Sequence, residues 1–100
     1  MHLEWDEAKR QANLEKRGVD LLIAALIFEG ETLTIPDLRH DYGEVRYKSV
    51  GFVDDVCYVV IHTERDEAVR LISAWKGGRR DRAKYQAINP RGNPRDEGEG

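Results

Sequence analysis

Apolar and polar positions change their spacing along the chain, and each change marks a predicted element. Leu3 and Trp5 alternate with His2 and Glu4, which reads as a brief edge strand over residues 2–5. Asp6 has the character of a helix N-cap, Glu7 suits the dipole of the first turn, and Gly18 follows Lys16 and Arg17 as a stop. A first helix is therefore predicted from about Asp6 to Arg17. Asp20 opens a second, LLIAALIF, apolar almost all round and closed by Gly30, so this helix is expected to be mostly buried.

From Thr32 the texture turns strand-like. TLTIP ends at Pro36, the polar stretch DLRHDYG follows, and then come EVRYKSVGF, VCYVVIHT and AVRLISAW, separated by turns at Asp54-Asp55 and at ERDE. Gly77 and Gly78 break the last strand, and the residues around Asp81, Ala83, Lys84 and Tyr85 suit a short closing helix. The order β-α-α-β-β-β-β-α gathers helices at the ends, which predicts an α+β fold with a small antiparallel sheet, two N-terminal helices and one C-terminal helix. One domain over residues 1–88 is expected, with 89–100 as a disordered polar tail because Pro, Gly and charge there leave nothing to bury.

Composition narrows the picture. With 100 residues and 40% hydrophobic content the chain can build one core and no second. No apolar run approaches the roughly 20 residues of a membrane span, and the start MHLEWDEAKR is too charged for a signal peptide, so a soluble, cytoplasmic protein is expected. Cys57 is the single cysteine, which excludes an internal disulfide and a cysteine-based zinc site. Its apolar neighbours mark it as a buried small hydrophobe. The net charge of -3 does not by itself announce nucleic-acid binding, so the distribution of charge has to carry that case.

Alternation puts Glu44, Arg46 and Lys48 on one face of their strand and Val45, Tyr47 and Ser49 on the other. The ionic face is either an ordinary solvated surface or an anion site, since arginine offers a planar fork for phosphate oxygens. In AVRLISAW the same alternation places Arg70 with Ile72 and Ala74, opposite Ser73 and Trp75, and an arginine among apolar neighbours needs a partner or a ligand. Lys76, Arg79, Arg80, Arg82 and Lys84 form the densest basic stretch, opened by two glycines that would let a backbone approach a phosphate. His62, at the end of its strand, is the histidine best placed to border a site, where a neutral imidazole acts as general base; a structural role is the plain alternative. Signatures of nucleotide-triphosphate, zinc-protease and serine-hydrolase sites are missing from the sequence.

Three blocks in order, EWDEAKRQANLEKRGV, GEVRY and VIHTERDEAVRLISAWKGGRRDRAKY, resemble the BrnT family, whose members read WDxxKxxxNxxKHGV, GExR and RxISAR followed by a basic helix. Trp5, Asp6, Lys9, Asn13, Lys16, Gly18 and Val19 match at fixed offsets. The resemblance implies a RelE-like fold, endoribonuclease toxicity, no cofactor or metal, and a cognate BrnA-type antitoxin that binds operator DNA and covers the toxin. Carried over by position, it points to Lys9, Asn13, Lys16, Glu44, Arg46, Arg70, Ser73, Arg82 and Tyr85. Helical spacing independently puts Lys9, Asn13 and Lys16 on one stripe. Two positions depart from the pattern: Arg17 stands where His is usual and Trp75 where Arg is usual.

These readings combine into metal-independent attack of a ribose 2′-oxygen on the adjacent phosphate. Arg46, Arg70 and Arg82 would hold the phosphate, and His62 or Glu44 would take the proton. Lys9, Asn13, Lys16, Ser73, Arg79 and Arg80 would contact RNA while Tyr85 stacks on a base. Arg79 or Arg80 would substitute for the cation lost at position 75. The second reading is a catalytically weak or inactive homologue that serves as partner of a DNA-binding antitoxin. Direct DNA binding is the third, disfavoured by the lack of a helix-turn-helix and the negative net charge.

Overall fold

The computed structural model describes residues 1–89; all of the expected tail beyond Asn89 lies outside them. The elements are β1 (His2–Glu4), α1 (Glu7–Arg17), α2 (Leu21–Ala24) continuing as a 3-10 helix (Ala25–Glu29), β2 (Leu33–Pro36), β3 (Tyr47–Val53), β4 (Val56–Arg65), β5 (Ala68–Lys76) and α3 (Arg79–Ile88). They form a mixed α+β domain around one five-stranded sheet of order β1-β5-β4-β3-β2. The sheet is not wholly antiparallel as expected: β1 runs parallel to β5, because two helices intervene between β1 and β2 and the chain's first strand is left to close the far edge. No helix among the described residues is long and apolar enough to cross a membrane.

The helix ends follow their caps. Asp6 accepts from the backbone N–H groups of Ala8 and Lys9, and Gly18 ends α1 in the left-handed region at φ 68°, where a side chain would be strained. Arg10 reaches from α1 to Asp20 with two hydrogen bonds of 2.9 Å, while the same carboxylate caps α2 through Leu22. The LLIAALIF segment is not one α-helix buried all round. After one α-turn it tightens to a three-residue repeat, which turns Ala24 and Ile27 onto the sheet and leaves Ile23 and Leu26 at 48% and 40% exposure. The fit is close at Gly51, where a Cβ would stand 2.8 Å from Cβ of Ile27.

The two sheet faces carry separate cores. Leu21, Ala24, Ile27, Val60, Leu71 and Ala74 meet under α1 and α2, and on the opposite face Val50, Cys57 and Val59 meet Tyr85 of α3. Gly77 passes so near Cys57 that an added Cβ would clash with Sγ, and its N–H donates to the Cys57 carbonyl. This glycine answers to packing rather than to phosphate approach.

Asn13 joins α1 to the sheet. Because β1 reaches only as far as Arg70, the outer edge of β5 beyond that point has no strand beside it. The Asn13 amide takes that place: its Nδ2 donates to the carbonyls of Ala74 (2.9 Å) and Val19 (2.8 Å), and its Oδ1 accepts from the Ala74 N–H (3.2 Å). A side-chain amide holds both a donor and an acceptor, so it copies a neighbouring peptide.

His62 belongs to the helix-side core. It is 1% exposed, its Nε2 lies 2.8 Å from Ser49 Oγ, which in turn meets Thr34 Oγ1 at 2.6 Å, and its ring packs between Phe28 and Tyr47. Burial lowers its pKa below the usual 6.5, only partly opposed by the Glu64 carboxylate 3.7 Å from Nδ1.

Two outcomes follow for stability. Asn13→Ala leaves buried backbone groups of Ala74 and Val19 unpaired and is expected to lower unfolding stability by roughly 3 kcal/mol in urea denaturation. Asn13→Asp should also destabilise, since it keeps the acceptor but faces two carbonyls with a carboxylate. For His62, the unfolded chain binds the proton more readily than the folded one, so the contribution of neutral His62 is present above pH 6.5 and is lost as pH falls below it. Melting temperature followed from pH 8 to 5 should drop in the parent chain and drop less in His62→Gln.

Candidate functional site

A register shift in β5 decides which side chains meet. Trp75 pairs with Val59 and Ser73 with Ile61, but the next pair is Leu71 with His62, so Ile72 is an extra residue on β5. This β-bulge reverses the alternation expected from the sequence. Arg70, opposite Thr63, thereby shares a face with Ser73 and Trp75, not with Ala74. Lys48, opposite Ile61, and Glu4, opposite Arg70, lie on that face too. His62 lies on the other.

The face is covered at one end by α3 and at the other by the loop of residues 37–46. The loop is pinned at its base by the Asp37 N–H on the Arg46 carbonyl (2.8 Å), and the Thr63 hydroxyl donates to Val45 (2.7 Å). Within it the Asp37 carboxylate is buried and clamped by the Arg39 fork at 2.8 and 2.9 Å, with Tyr42 donating from 3.4 Å. Those hydrogen bonds, Arg39's first, hold the Asp37 pKa down at about 2 against the effect of burial. Arg46 lies over the Tyr42 ring at 3.9 Å and pairs with Glu44 at 3.2 Å, and Glu44 also meets Arg65 at 3.5 Å. Arg46 and then Arg65 hold the Glu44 carboxyl below its ordinary range, so it is ionised near neutrality.

Where the start of the loop meets β2, β3 and β5 lies a cleft of about 380 Å³, lined by Ile35, Pro36, Asp37, Leu38, Arg39, Lys48 and Trp75. The guanidinium of Arg17, at the end of α1, sits 4.7 Å from the centre of the Trp75 ring, and that of Arg39 sits at 5.7 Å. Arg17 and Trp75, the two departures from the family pattern, thus touch each other. Lys48 reaches Asp81 at 3.0 Å, and Asp81 also accepts from the Gly78 N–H at the start of α3. Arg70 approaches Glu4 at 4.0 Å.

Other sequence candidates stand apart. Arg82 lies over Phe52 at 5.2 Å, opposite Cys57 at the hairpin end of the sheet. Arg70 lies opposite Thr63, six residues further along β4, or roughly 20 Å at strand rise. Arg79 and Arg80 are exposed in the first turn of α3, and Lys9 and Lys16 are exposed on α1. Asn13 is spent on backbone, and Tyr85 is buried with its ring edge-on to Phe52 and its hydroxyl donating to the Glu31 carbonyl. Burial pushes the Cys57 thiol up to about 11, as befits a core residue.

Asp37, Arg39 and Lys48 are the side chains that sequence reading undervalued. Asp37 and Arg39 lay in a stretch read as a polar turn. The available signal was the Pro-Asp-x-Arg spacing, which lets a carboxylate and a guanidinium meet two residues apart. Lys48 was visible as part of an ionic strand face but had no reason to stand out from Glu44 and Arg46.

The arrangement is a sheet face rich in forked cations, an aromatic floor and ionised carboxylates, which suits a ligand carrying phosphates and flat rings. No curated protein matches the chain at a significant level. The family described as "Ribonuclease toxin, BrnT, of type II toxin-antitoxin system" matches residues 5–81, which span α1, every strand but β1, and the start of α3. The chain therefore belongs to the BrnT family, the ribonuclease toxins of type II toxin-antitoxin systems.

Proposed function

We propose that this toxin cuts RNA in the cytoplasm, without a metal, at the loop end of the sheet face, where Arg70 stands opposite Thr63 and Arg46 follows Val45, whose carbonyl Thr63 bonds. The observation that carries the reading is the bulge at Ile72, which gives Arg70 the same face as Ser73 and Lys48. In the reaction the ribose 2′-oxygen bonds to phosphorus while the bond to the 5′-oxygen breaks. The 2′-hydroxyl proton passes to Glu44, and the leaving oxygen takes one from water. Arg46 and Arg70 neutralise the phosphate oxygens as charge develops. Glu44 suits the proton-accepting role because it is ionised and partly open to solvent, whereas His62 is enclosed in the opposite core. Ser73, Lys16 and Lys9 extend the contact with RNA, and Arg79, Arg80 and Arg82 meet phosphates further along the strand. A BrnA-type antitoxin covers this face, and operator DNA is reached only through that partner.

A second reading has an observation of its own. Each of Arg39, Arg46, Lys48 and Arg70 already faces a carboxylate, and an indole occupies position 75. A face so neutralised fits a weak or inactive homologue retained as partner of a DNA-binding antitoxin.

Purified protein incubated with RNA in excess chelator should yield fragments with 5′-hydroxyl and cyclic or 3′-phosphate ends. Arg46→Ala with Arg70→Ala should slow cleavage by about a hundredfold or more. RNA that stays intact at high enzyme, together with growth unharmed by expression without the antitoxin, would decide for the non-catalytic partner. Cleavage untouched by the double change would refute the assignment of Arg46 and Arg70.

A further inference from the structure

Trp75 and Arg39 form a pair whose chemistry the cleavage reaction does not use. Trp75 is half-buried at the floor of the 380 Å³ cleft, a volume within the roughly 300–1,000 Å³ range of small-ligand pockets. Ile35, Pro36 and Leu38 supply apolar walls, and the side chain of Leu38 is almost fully exposed although it sits beside them. Flat, apolar walls with an indole are made for a planar ring.

Arg39 adds direction to that shape. Arginine has five N–H donors. The buried Asp37 carboxylate engages Nε and one N–H on Nη2, and the Tyr42 hydroxyl also acts on this guanidinium, so the carboxylate takes the Nε–Nη2 edge of the fork and not its Nη1–Nη2 end. That end presents two parallel donors, the geometry that matches two adjacent acceptors, and among nucleobases the O6 and N7 atoms of guanine offer it best. Arg39 is held 5.7 Å from the Trp75 ring, too far for tight stacking, and its side chain is 57% exposed. Lys48 stands in the same lining for the base's phosphate.

We infer that the cleft between Trp75 and Arg39 is a base-binding subsite with preference for guanine, in which the indole stacks on the base and the Asp37-clamped fork reads its O6 and N7 edge. The inference rests on the reading that the sheet face binds RNA, and it adds the specificity of that face. Arg17, on the indole from the α1 side, fixes the ring for stacking.

The test uses the intact, isotope-labelled chain and free nucleotides, so no cleavage is needed. The chain has two tryptophans, and Trp5→Phe assigns the indole N–H signal of Trp75. Titration with guanosine 3′-monophosphate should shift that signal and give binding about tenfold tighter than ribose 5-phosphate. Binding should also be severalfold tighter than that of the adenosine, cytidine and uridine nucleotides. Arg39→Lys, which keeps the charge at an exposed position and removes the fork, should retain binding but level the four bases. Trp75→Phe should weaken all four. An indole signal that responds equally to ribose 5-phosphate overturns the subsite, as does a parent chain that binds the four nucleotides alike. RNA cleavage that depends on Arg46 and Arg70 but ignores the base beside Trp75 overturns it as well, and leaves the nuclease reading intact. Guanosine nucleotide binding by a chain that never cuts RNA does the reverse.

Discussion

The open edge of β5 is the constraint around which the rest is arranged. A strand edge with unpaired N–H and C=O groups invites pairing with another chain unless something covers it. Here β1 covers three residues and the Asn13 amide covers Ala74, so α1 is hydrogen-bonded to the sheet as well as packed on it. That bond sets the position of the C-terminal turn of α1, from which Arg17 meets Trp75. The Arg10–Asp20 pair then directs the chain into α2. One buried asparagine therefore links the order of the edge strand, the angle of the first helix and the contents of the cleft.

Element order was legible because local signals agree with the final packing. Asp6, Gly18, Asp20 and Gly30 mark helix ends, Asp54 and Asp66 take the positive-φ positions of the hairpin turns, and the strands alternate as a half-covered sheet must. What could not be read depends on contacts distant in sequence. The parallel pairing of β1 is settled by which edge of the sheet is free. The 3-10 turn follows from the close approach of Ile27 to Gly51. The bulge at Ile72 has no composition signal, since Ile, Ser and Ala all suit a regular strand, yet it reverses the face on which Arg70 appears.

The site was legible in residue type more than in position. Lys48 and Arg70 share one side of the sheet, whereas Glu44 and Arg46, expected on the same strand face as Lys48, lie in the loop before β3, which begins only at Tyr47. Asn13 came under suspicion through the family pattern and its helical spacing with Lys9 and Lys16, and His62 through its place at a strand end, yet both are buried polar groups that bond within the protein. Asn13 finds Val19 and Ala74, and Nε2 of His62 finds Ser49, while its Nδ1 is buried without a hydrogen-bond partner. The Asp37–Arg39 clamp escaped notice because a turn-rich stretch conceals how its side chains fold back.

Asp81 sits at a junction whose effect extends past the cleft. One of its oxygens takes the backbone N–H that opens α3 and the other takes Lys48. Its negative charge sits in the first turn of α3, where the helix dipole and the cations Lys48 and Lys84 favour it. The turn that carries Arg79 and Arg80 is thereby anchored to the sheet through a single carboxylate.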